Sequence, residues 1–74
     1  MTIKLEALVQ SNRLRVFEIN ERERNYLGFV NLEEPTEERV LRDLALVLYA
    51  KVAKYLEKMP KFDIQVVKED YKRI

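Results

Sequence analysis

The chain has no cysteine, no histidine and no tryptophan, and only one glycine and two prolines among its 74 residues. Without cysteine there is no disulfide and no thiol nucleophile. Without cysteine and histidine the usual structural zinc sites cannot form. The missing histidine also removes imidazole acid–base catalysis and the Ser-His-Asp triad. A single glycine, Gly28, excludes a glycine-rich phosphate loop. The only serine, Ser11, has no identifiable base beside it. No long hydrophobic run exists either: Leu44 to Ala50 is the longest, far short of the roughly 20 residues that span a bilayer. The first residues, MTIKLEALVQ, alternate in polarity and contain no apolar core, so no signal peptide and no membrane partner are expected. The cytoplasm is the expected compartment.

What is present is 47% hydrophobic and 36% charged, the composition of one folded domain over residues 1–74. A domain this small buries only about 60% of its unfolded surface. Disulfides and zinc are excluded, so stability must come from tight packing or from a partner subunit. High charge with few glycines leans towards a thermostable protein carrying surface ion pairs. The net charge of +1 implies no bulk attraction to nucleic acid, although a local basic patch stays open.

Periodicity gives the order β-β-β-α-β. Ile3, Leu5, Ala7 and Val9 alternate with Lys4, Glu6 and Leu8, which predicts a half-buried strand. Ser11-Asn12 reads as a tight turn, with Asn12 suited to positive φ. In the second strand, Arg13 to Ile19, Leu14 and Val16 share one face. Arg13, Arg15, Phe17 and Ile19 share the other. The adjacent Val16-Phe17 pair leaves the inward face open between a bulge and a two-sided sheet. Residues 20–25, NERERN, read as an exposed loop, and Tyr26 to Leu32 as a third strand. Gly28 within it suggests a bulge or a close backbone approach. Phe62, Ile64 and Val66 alternate with Asp63, Gln65 and Val67 in a fourth strand. A right-handed crossover makes that strand parallel to a neighbour. The fold class is α+β, an antiparallel meander with one long helix packed on one face.

Thr36 is placed to cap that helix, with Glu37 and Glu38 in its first turn. The helix runs to about Met59, where Pro60 stops it. Glu38–Arg42 and Arg39–Asp43 are spaced for i,i+4 pairs. Val40, Leu41, Leu44, Leu48, Val52, Tyr55, Leu56 and Met59 form its main apolar stripe. Leu46, Tyr49, Ala50 and Ala53 lie off the stripe and form a second apolar strip. One sheet cannot cover both, so this strip is expected to mediate self-association.

The leading functional expectation is therefore a non-enzymatic interaction module, a homodimer or a subunit of a larger complex. No cofactor or metal is expected: the acidic pairs Glu33-Glu34, Glu37-Glu38 and Glu69-Asp70 read as capping or solvated surface. The alternative is nucleic-acid binding through Arg13, Arg15, Arg22, Arg24 and Tyr26, since sheets bind single strands by stacking bases beside basic side chains. Thr36-Glu37-Glu38 and Tyr55-Leu56-Glu57, behind a meander, resemble HicB-type antitoxins. Those place a similar helix after a Gly- and Pro-containing loop. Here Asn31 to Pro35 contains no glycine, the likeness covers about a third of the chain, and it carries over no residue role.

Overall fold

The structure, a computed structural model, describes residues 2–53 and 60–69. Its elements are β1 (Thr2–Gln10), β2 (Arg13–Asn20), β3 (Glu23–Asn31), α1 (Glu38–Val52) and β4 (Lys61–Glu69). They form one four-stranded mixed sheet of order β3-β2-β1-β4, with α1 packed on one face. β1, β2 and β3 pair antiparallel, and β4 returns parallel to β1. The architecture is the expected β-β-β-α-β.

Alternation decides which side chains meet the helix. Ile3, Leu5, Ala7, Leu14 and Val16 point under it and are buried. On α1, Leu41, Ala45 and Tyr49 recur every fourth residue and face the sheet. Ala7, Leu14, Val16, Leu41 and Ala45 form one cluster, and Ile3, Leu5 and Tyr49 a second. Small residues on both sides, Ala7 and Ala45, let helix and sheet approach closely.

Three boundaries differ from the sequence reading. Residues 20–25 are not a loop: Ile19 pairs with Arg24 and Asn20 with Glu23, leaving Glu21-Arg22 as a two-residue turn. Charged residues belong in these strands because their side chains reach water while their backbones complete the ladder. Positive φ falls on Ser11 (55°) and Glu21 (53°), not on Asn12. α1 begins after Glu37, whose side chain makes no cap bond. Thr36 instead donates its hydroxyl to the Glu34 carbonyl at 2.9 Å.

α1 ends at Val52, with Ala53 extended and its N–H bonded to the Tyr49 carbonyl. At about 1.5 Å per residue, the helix of 15 residues fits over strands of nine without overhang. Tyr55, Leu56, Met59 and the tail beyond Glu69 lie outside the described residues. Glu38 and Arg42 make the expected pair at 3.5 Å, whereas Arg39 lies 3.8 Å from Glu37. Among the described residues no helix is long and apolar enough to cross a membrane.

Candidate binding surface on the open face of the sheet

α1 lies on one face, and among the described residues no element covers the other face of the sheet. Register places every residue on it. Beyond a shorter row of Lys61 and Thr2, four rows cross the strands in the order β4, β1, β2, β3. They are Glu69–Gln10–Arg13–Asn31, Val67–Leu8–Arg15–Phe29, Gln65–Glu6–Phe17–Tyr26 and Asp63–Lys4–Ile19–Arg24. Such a face is usually polar. This one carries six apolar side chains, and Leu8 is 9% exposed although among the described residues no helix covers it.

The face divides by charge. Its β2–β3 half holds Arg13, Arg15 and Arg24 with Phe17, Tyr26 and Phe29, and no carboxylate. Its β1–β4 half holds Glu6, Asp63 and Glu69 against Lys4 and Lys61. The arginines lie on the rings. The Arg13 guanidinium sits 4.5 Å over Phe29, and that of Arg24 sits 4.1 Å over Phe17. Phe17 and Tyr26 tilt against each other with centroids 5.4 Å apart. Tyr26 and Phe29 remain 53% and 47% exposed. Contacts at such exposed sites stabilise by about 0.5–1 kcal/mol each, too little to explain this much exposed aromatic surface as a folding device.

A bulge makes the arrangement possible. Val16 pairs with Gly28, but Phe17 pairs with Tyr26, so Leu27 is the extra residue. In a regular strand Tyr26 and Phe29, three apart, would face opposite ways. The bulge puts both on the open face, and Leu27 and Val30 both against the core. Gly28 carries φ of 145°, where a side chain is strained, and the Leu48 side chain packs 3.5 Å from the position a Cβ would take.

Polar contacts hold the arginines in place. Arg24 donates twice to Glu6 Oε1, from Nε at 3.0 Å and from Nη2 at 2.8 Å. Arg13 Nε donates to Asn31 Oδ1 at 3.4 Å, and Arg15 Nη1 donates to Gln10 Oε1. Gln10 in turn donates to Glu69 at 2.8 Å. A shallow polar depression lies at the end of the first row, lined by Gln10, Ser11, Asn12, Arg13, Arg15 and Asn31. Among the described residues, no three carboxylates converge as metal ligands would.

The expected nucleic-acid residues thus largely come together. Arg13, Arg15, Arg24 and Tyr26 share the open face, while Arg22 sits in the exposed β2–β3 turn outside the rows. The sequence puts Phe17 on the arginine face of β2 but does not bring Tyr26 and Phe29 together beside it; the signal was Gly28, which marks the bulge. The expected helix strip does not survive intact. Tyr49 is buried against Ile3 and Leu5, edge-on to Phe62 at 5.6 Å, and Ala53 packs on the same cluster. Leu46 is half-buried and only Ala50 is exposed. Leu41, Leu44 and Leu48 of the expected stripe do meet the core, but Ala45 and Tyr49 join them there. Val40 and Val52, assigned to the core stripe, are 37% and 46% exposed. Burial, with the Glu18 carboxylate as a second cause, raises the Tyr49 phenol above its usual 10.0.

Compared with known proteins, the chain matches no family model, no curated protein and no solved structure.

Proposed function

We propose that the chain is a non-enzymatic binding module that holds single-stranded nucleic acid on the β2–β3 half of its open face. The observation that supports this reading is the set of three arginines and three aromatic rings on one carboxylate-free half-face. Bases stack on exposed rings or on guanidinium planes, and arginines meet the phosphates. The platform needs splayed bases, which a single strand offers and a duplex does not. Near-neutral net charge leaves bulk attraction weak, so affinity is set locally and is modest.

Fluorescence anisotropy with labelled single- and double-stranded DNA and RNA, over a salt series, tests the reading. Binding is expected for single strands, with log K falling against log salt by a slope of about −2 for three phosphate contacts. No binding at low salt would refute it. Helix-mediated self-association is the second reading, favoured by Val47, which is 54% exposed beside exposed Ala50. Leu46→Glu would then reduce the sedimenting mass without unfolding the chain.

A further inference from the structure

The sheet has two edges, and they are built differently. The β3 edge carries the Leu27 bulge and the strained Gly28, devices that spoil pairing with another strand. The β4 edge carries neither. β4 runs in unbroken register with β1 from Lys61 to Glu69, and contains no proline and no glycine. Among the described residues nothing pairs with the outer side of β4, and an edge strand of nine regular residues offers a row of backbone groups to a partner strand.

We infer that β4 is a self-pairing edge. Two copies join β4 to β4 antiparallel about a two-fold axis through Gln65, giving one continuous eight-stranded sheet. The occupant is argued from charge. On the open face β4 presents Lys61, Asp63, Gln65, Val67 and Glu69. Centred on Gln65, Lys61 of each copy faces Glu69 of the other, and Ile64 faces Val66 beneath the sheet. Sliding by two residues in one direction brings Asp63 against Glu69. Sliding in the other leaves Glu69 opposite no residue of β4 and sets Lys61 against Val67. Directly opposed unlike charges stabilise a pair of strands and like charges oppose it, so the centred register is preferred. The contact is isologous, so it closes at two copies. Both basic-aromatic half-faces then lie at the outer ends of one sheet, and the acidic halves meet in the middle. This inference stands apart from nucleic-acid binding, because it uses a different strand and different residues.

Sedimentation equilibrium on three samples tests it: the unaltered chain, Lys61→Glu and Glu69→Lys. The unaltered chain is expected at twice its mass of 8.9 kDa. Each variant alone opposes like charges at both ends of the pair and weakens the dimer roughly tenfold. An equimolar mixture of the two restores both unlike pairs and returns the affinity. Residues 61 and 69 sit at opposite ends of one strand, so recovery on mixing requires two chains. Circular dichroism confirms that each variant is folded. A monomeric unaltered chain would overturn the inference. So would a dimer that neither variant weakens, or one lost on Leu46→Glu and indifferent to the charge exchange, which would place the contact on the helix.

Discussion

The two faces of one sheet are built from the same alternating strands and do opposite things with them. The covered face holds Ile3, Leu5, Ala7, Leu14 and Val16, all buried and all aliphatic. The open face holds Phe17, Tyr26 and Phe29, interleaved with Arg13, Arg15 and Arg24. Most of the aromatic area described in the sheet is thus kept out of the core, on the side where it contributes least to stability. A small domain short of core would gain by burying those rings, at about 25 cal/mol per Å² of apolar surface. The difference is what motivates a binding role for the open face: the mainly aliphatic side holds the fold, and three of the four rings described in the sheet lie on the other.

That division can be broken most severely from the covered side. Leu14 is fully buried in the main cluster, so Leu14→Ala is expected to cost about 2–5 kcal/mol in urea unfolding. Against a total of about 5–15 kcal/mol, it brings the chain close to unfolding. Phe29→Ala is the matched change on the open face. Unfolding should move by less than about 1 kcal/mol, while single-strand affinity falls by about 1–3 kcal/mol in anisotropy. Equal losses of stability from the two variants would erase the distinction between the faces.

Gly28 joins the faces, because the bulge beside it turns Tyr26 and Phe29 outward. Gly28→Ala forces a side chain into strained backbone and should destabilise by about 1–3 kcal/mol. Smaller in size is the competition at Arg24. Glu6 holds this arginine where a phosphate would bind, so Glu6→Gln should tighten single-strand binding about two- to fivefold. The smallest effect concerns Tyr49. Its folded-state value is raised above 10.0, so the contribution is fully present below pH 10. It declines as pH climbs from 10.0 towards the folded value, because the unfolded chain releases its proton first. The stability difference between the unaltered chain and Tyr49→Phe, followed by urea unfolding, should change over that alkaline window and stay flat below it.

Most of the fold was legible because period two is unambiguous where one face is apolar, as in Ile3-Leu5-Ala7 and Phe62-Ile64-Val66. The turn at Glu21-Arg22 was not, because six consecutive polar residues look alike whether their backbones pair or not. The full core face of α1 was hidden for a related reason. Its central run is apolar all round, and hydrophobicity alone does not say which of Ala45, Leu46 or Tyr49 joins Leu48 against the core. Of the open face, the arginine side of β2 was readable from alternation. The positions of Tyr26 and Phe29 were not, since they depend on one inserted residue that only pairing with β2 reveals.

The most direct measurement is an amide-shift titration by NMR, adding a short single-stranded oligonucleotide to labelled protein. The account predicts progressive shifts confined to Arg13, Arg15, Phe17, Arg24, Tyr26, Phe29 and their strand neighbours, with the outer side of α1 unmoved. Shifts centred on Val47 and Ala50, or none at saturating oligonucleotide, would contradict it.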